Sequence, residues 1–270
     1  MVLSLLNIRN RLGILQIPCL TLWLMVWGCT GPFHGSLTAV PEDQSQQVLT
    51  ALRQKENTIR TLRGLFQAAV SGSGIPFAQR FNGVMSYAKP DTVHLRGFLR
   101  FGVPMMDFHR KGNSYELYFP AKNEVIIGQV AGGVGHTQWD QTVQLSIRAL
   151  DAVLGKIAGL STGEVRVLKG ETHYRLDMAT VLNTVATTQE NFQVRSWIDA
   201  HTLELVAIEY RTSEDDVVVS VECEDYREVN GPAVSGQGRV RLPFVVKATD
   251  HRSSGGSITL NFQEFILNAV

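Results

Sequence analysis

The sequence predicts a mainly β, α+β fold: a single antiparallel meander of about twelve strands with a helical cover. Three observations predict it. From Gly64 onward most segments alternate apolar and polar residues with period two. Most of their connections are only a few residues long, too short for the crossover that parallel neighbours need. Two segments alone carry a helical period, one ahead of the meander and one inside it. With 25 basic and 25 acidic residues and 44% apolar content, the 270-residue chain has the composition of a globular protein. It lacks the basic excess of a nucleic-acid binder.

The chain opens on a targeting segment. Arg9 and Arg11 precede an apolar run, Leu12–Trp27, that is interrupted by Gln16 and Pro18 and contains no acidic residue. It falls short of the roughly 20 residues that span a bilayer, so residues 1–28 read as a secretory signal peptide. The run ends in VWGC (Val26–Cys29), which resembles a bacterial lipobox. That resemblance implies cleavage after Gly28 and acylation of Cys29, with residues 29–42 as a lipidated tether. Thr30 in place of Asp implies sorting to the outer membrane. The mature chain keeps 23 basic and 25 acidic residues, and Cys223 as its one further cysteine. No internal disulfide can then form. In VVVSVEC, Cys223 shares a strand face with Val217, Val219 and Val221, which makes it a core residue.

Residues 43–270 form the folded domain. Val48, Leu52, Ile59 and Leu62 mark a first helix over about 43–61. GLFQAAVS (64–71), GVMSYA (83–88) and TVHLRGFLRF (92–101) follow as strands. In the last of these Val93, Leu95, Gly97, Leu99 and Phe101 share one face. The next turn, FGVPMM (Phe101–Met106), is unusually apolar for a turn. MDFHR, YELYF and EVIIG continue the meander across turns at Lys111–Asn113 and Pro120–Asn123. A second helix over 137–157 interrupts it, with Val143, Ile147, Leu150, Leu154 and Ile157 on one stripe and Thr137 with Asp140 as a capping box. Seven further strand segments follow, from EVRVL (164–168) to SITLNFQEFIL (257–267).

Chemistry-bearing motifs are few. GGVGH (Gly132–His136) lacks the Lys-Ser/Thr pair of a phosphate loop and reads as a hinge. The seven histidines form neither HExxH nor a Cys/His cluster, so no metal or cofactor is expected. Asp107 and His109 share a strand face and offer at most a surface dyad. There is no GxSxG elbow. The sequence predicts no enzyme.

The order of these parts, from lipobox through leading helix, GVMSYAKPDTVHLRGFLRFGVPMMDFHRKGNSYELYFPAKNEVIIG, second helix and SWIDAHTLELVAIEY to LPFVVKATD and SITLNFQEFILN, resembles the Lol lipoprotein-carrier superfamily. The resemblance covers about residues 43–270. It implies an incomplete antiparallel β-barrel with a helical lid, enclosing a cavity for acyl chains of lipoproteins or other lipids. A lipid anchor of its own makes the chain similar in character to the outer-membrane receptor, a monomer at the periplasmic face that takes cargo from a periplasmic carrier protein. The matching transfer loop is Phe101, Val103, Pro104 and Met105, with Val103 and Pro104 at its tip. The expected cavity lining is Leu95, Leu99, Phe108, Leu117 and Phe119 on strands, with Val143, Ile147, Leu150 and Leu154 on the lid. Lys89 stands where the soluble carrier has an arginine that latches the lid. A lysine lacks the bidentate fork of that latch. The alternative is a lipid-tethered accessory subunit that uses the same fold to bind protein.

Overall fold

A computed structural model describes residues 36–72, 75–130, 138–157, 164–182, 190–229, 240–252 and 255–268. The chain divides into two units, Met1–His34 and Gly35–Val270, and all described residues lie in the second. The signal segment, Cys29, GGVGH and Thr137 fall outside the described residues, as does residue stretch 230–239. The described core residues all lie between Val40 and Leu267, so a chain beginning at Thr30 carries every one of them.

Helix α1 (Glu42–Thr58) starts after Pro41, with Glu42 and Asp43 in its first turn, where the helix dipole favours acids. It buries Ser45, Val48, Leu49 and Leu52. Ile59 and Leu62, which the spacing assigns to the same helix, lie beyond its end and are still buried. Asn268 ends it there. Its Oδ1 accepts the N–H groups of Arg60 (2.8 Å) and Thr61 (3.1 Å), and its Nδ2 donates to Thr58 O (3.1 Å). The chain leaves in extended form as β2.

The N-terminal half of the sheet comprises β2 (Thr61–Gly72), β3 (Ile75–Ala88), β4 (Thr92–Phe98), β5 (Pro104–Lys111), β6 (Ser114–Phe119) and β7 (Glu124–Gln129). After helix α2 (Gln138–Val153) come β8 (Val165–Lys169), β9 (His173–Leu182), β10 (Glu190–Asp199), β11 (Leu205–Arg211), β12 (Val217–Val229), β13 (Val240–Asp250) and β14 (Gly256–Leu267). A two-residue β1 (Thr38–Ala39) precedes α1 and pairs with β8. The expected dozen strands are thus fourteen among the described residues, all antiparallel, in one sheet of order β1-β8-β9-β10-β11-β12-β13-β14-β2-β3-β4-β5-β6-β7. No pairing joins β7 to β1, so the barrel is incomplete. The two halves are sewn together by β14 against β2, from Leu267↔Leu62 to Gly256↔Gly72.

Helix α2 runs over the inside of this sheet against β12, β13 and β14. Its stripe Val143, Ile147, Leu150 and Leu154 is buried, as is Ile157 beyond it. Gly155, at φ 67°, stops it: Gly155 N–H donates to Ala152 O (3.0 Å) and Lys156 N–H to Asp151 O (2.8 Å). A side chain is disfavoured in that left-handed geometry, so Gly155 is the residue that ends the helix. Cys223 is free and buried, and burial pushes its thiol up to about 12, which makes it unreactive at neutral pH.

Asp199 closes the β10–β11 turn. Its Oδ1 accepts the N–H of Thr202 (2.8 Å), the N–H of His201 (2.9 Å) and the Thr202 hydroxyl (3.1 Å). These donors, the Thr202 N–H foremost, outweigh partial burial and hold the carboxyl below the usual carboxylate range. A pKa depressed in the native state contributes stability above the unfolded value, lost as pH falls through the native one. Asp199→Asn should therefore lower stability by about 1 kcal/mol at neutral pH and by nothing in strong acid, as read by urea unfolding at both.

Candidate functional site

Between α2 and the strands β2–β6 lies a cavity of about 410 Å³, within the range of small-molecule sites. Its walls come from inward residues, alternate along the strands except where β5 carries one extra residue, Met105, against β4: Phe66 and Val70 on β2, Phe81 on β3, Leu95 on β4, Met105, Met106 and Phe108 on β5, Leu117 and Phe119 on β6, and Ile258 and Leu260 on β14. Helix α2 supplies Thr142, Val143, Ser146 and Leu150 as the cover. Two glycines shape the floor. A Cβ on Gly83 would stand 2.3 Å from the Phe66 ring, and one on Gly97 2.9 Å from Met106 and 3.1 Å from Phe81. Their bare backbones let these side chains lie down on the sheet and leave the space above them open.

The cavity meets solvent at one end. Of the exposed members of its lining, Ala121 and Lys122 sit in the β6–β7 turn and Gln79 in the first half of β3, all toward the end of the sheet where β2–β3, β4–β5 and β6–β7 turn. That end also carries the apolar hairpin. A single 3-10 turn (Arg100–Gly102) holds Phe101 at φ 64°, fully exposed, with Val103 and Leu99 about half exposed. Phe101 is thus more exposed than Leu99 or Val103, and β5 begins just after Val103, at Pro104. Met105 and Met106 point the other way, into the cavity.

The opposite end is bolted. Arg110 Nη1 donates to Asp151 Oδ1 (2.8 Å), joining β5 to α2, and Arg110 Nε donates to Gly112 O (3.1 Å). Burial pushes the Asp151 carboxyl up, against the pull of Arg110 and then Lys156. Lys156 pairs with Asp91, donates to Pro90 O (3.1 Å), and lies 5.0 Å from the centre of the Tyr87 ring. Gln144 Nε2 donates to Gln129 O at the end of β7 (3.2 Å). Lys89 reaches Asn57 Oδ1 on α1 (2.6 Å).

Solved structures share this architecture. An outer membrane lipoprotein-sorting protein domain from Vibrio parahaemolyticus aligns over 83% of this chain and 92% of its own, with TM-score 0.55 and 9% identity. A LolA superfamily protein from Nitrosomonas europaea aligns over 82% and 94%, with TM-score 0.52 and 13% identity. The chain has the LolA/LolB-like fold. A DUF1329 family protein from Desulfovibrio piger shares it too, over 85% and 94%, with TM-score 0.54 and 10% identity. No family model matches the sequence, and no curated protein matches it significantly.

On this LolA/LolB-like frame the residues expected to line a cavity divide. Leu95, Phe108, Leu117, Phe119, Val143 and Leu150 are on its walls. Leu99 is not: β4 ends at Phe98, so Leu99 stands in the turn that follows, about half exposed to solvent. Ile147 is buried but outside the lining, and Leu154 faces a separate void of about 40 Å³ beside Leu52 and Ile59. Sequence reasoning missed Phe66, Phe81 and Leu260, although the period-two alternation of β2, β3 and β14 carries the signal for all three. Lys89 holds α1, while Arg110 on β5 holds the lid. Asp107 and His109 do not pair with each other. Asp107 bonds His94 Nε2 (2.5 Å) and Arg96 Nε (3.1 Å), while the His109 ring stands edge-on to His94. Among the described residues no cluster could hold a metal, and no helix is long and apolar enough to cross a membrane.

Proposed function

We propose that this protein is a non-enzymatic lipid carrier, anchored by acylated Cys29 at the periplasmic face of the outer membrane. It receives the acyl chains of lipoproteins, or of another lipidated cargo, into the cavity and passes them to the membrane. One observation carries the reading: the apolar cavity opens at the same end of the sheet as the exposed hairpin. An acyl chain leaving the mouth on the hairpin side meets Met105 and Met106, then Val103 and Phe101. Burying one such tip side chain in a bilayer contributes roughly 1.5–3 kcal/mol, enough to orient a tethered protein. A periplasmic carrier protein would supply the cargo, and the chain works as a monomer.

The test uses the chain from Thr30, loaded with an environment-sensitive apolar dye and titrated with a triacylated lipopeptide. Saturable displacement is expected, weakened at least tenfold by Leu150→Glu, which puts a carboxyl into the cavity wall. Absence of both dye uptake and lipopeptide binding would overturn the reading.

The accessory-subunit alternative has one observation in its favour. Among the described residues nothing pairs with the outer edge of β7, where Val125 and Ile127 are exposed. A partner could add a strand there. A protein that co-purifies in fixed ratio and is lost on Ile127→Lys, with no lipid bound, would favour it.

A further inference from the structure

The rim of the cavity mouth carries charge as well as apolar surface. Arg100 sits within the turn that exposes Phe101. The β3–β4 register pairs Asn82 with Phe98, so its continuation brings Arg80 alongside that same turn. Both arginines are exposed, and among the described residues neither has a carboxylate partner. Lys122, on the neighbouring β6–β7 turn, adds a third cation to the rim. Asp107, on β5, is already engaged by His94 and Arg96. From Thr92 to Met106 the chain contains no acidic residue at all. Like charges on adjacent strands repel, so an anion seated between Arg80 and Arg100 relieves a cost that the free protein bears.

We propose that the mouth docks on an anionic phospholipid surface, with Phe101 and Val103 inserted among the acyl chains and Arg80 and Arg100 on the phosphates around them. This deepens the carrier reading and rests on it, naming the chemistry of the membrane that the mouth faces. The apolar tip supplies depth, and the two arginines supply selection. Guanidinium groups suit phosphate because their planar fork donates two parallel hydrogen bonds.

The test sediments the chain from Thr30 with vesicles of phosphatidylcholine alone or of an equal mixture with phosphatidylglycerol. Each arginine near an anionic surface strengthens partitioning about fivefold. The double substitution Arg80→Glu/Arg100→Glu should therefore weaken binding to the mixed vesicles by about thirtyfold or more, and high salt should erase the preference. Phe101→Ser should weaken binding to both kinds of vesicle. Equal partitioning onto the two, or a double variant that binds mixed vesicles like the parent chain, overturns the proposal. Dye displacement by lipopeptide, measured on the same samples, separates the two failures. The charge reversal leaves it intact where only docking is lost, and its absence in the parent chain counts against the cavity.

Discussion

Replacing Ser146 with phenylalanine should abolish lipopeptide displacement of the dye and raise the melting temperature. Ser146 faces the cavity from α2, and its hydroxyl donates to Thr142 O one turn back (2.8 Å). The substitution therefore breaks no contact between elements. A phenyl ring at that position enters the 410 Å³ space among Phe81, Leu95 and Leu150, occupying the volume an acyl chain would take. Cavity filling of this kind commonly adds about 1 kcal/mol of stability. The two effects move in opposite directions, which no general damage to the fold can imitate. A variant that is more stable and still binds lipopeptide with the parent's affinity would show that the chain is held elsewhere.

The second large effect concerns the bolt. Asp151→Ala leaves the Arg110 guanidinium, only 8% exposed, with Gly112 O as its described acceptor. Breaking a buried pair from one side costs about 3 kcal/mol, because the remaining charge is desolvated without compensation. Arg110→Met combined with Asp151→Leu removes both charges and fills similar volume, so it should recover most of that loss. Chemical unfolding of the single and double variants measures both quantities. A single variant within about 0.5 kcal/mol of the parent would show that the pair is hydrated and does little to fix α2.

Much of this architecture was legible in the sequence because alternation survives tertiary packing. Val93 and Leu95 face inward as their spacing demands, and the α2 stripe is buried from Val143 to Leu154. The alternation fails at Leu99 because β4 ends one residue earlier, at Phe98, and the apolar run on through Phe101 does not announce that end. The first helix ends before Ile59 for a similar reason. Its end is written by Asn268, at the far end of the chain. The cavity was half legible. Its walls on β4, β5 and β6 follow from a local hairpin pattern, whereas Phe66 and Leu260 come to one wall only because β14 pairs with β2. The bolt was invisible, since Arg110 and Asp151 lie 41 residues apart and belong to different elements.

The β14–β2 seam also governs how the molecule is made. The sheet's middle is formed by its last strand, and Asn268, which fixes the start of β2, stands 207 residues from Thr61 along the chain. Contacts of such sequence separation are paid for in loop entropy before they reward the chain, so folding is slow and late. Neither half can be finished while the chain is still emerging: β2 waits with a bare apolar flank until residues 256–267 arrive. A nascent or truncated chain therefore exposes its centre, not its margin. Throughout the interval between synthesis and closure the β2 edge stands open to pairing with any other strand.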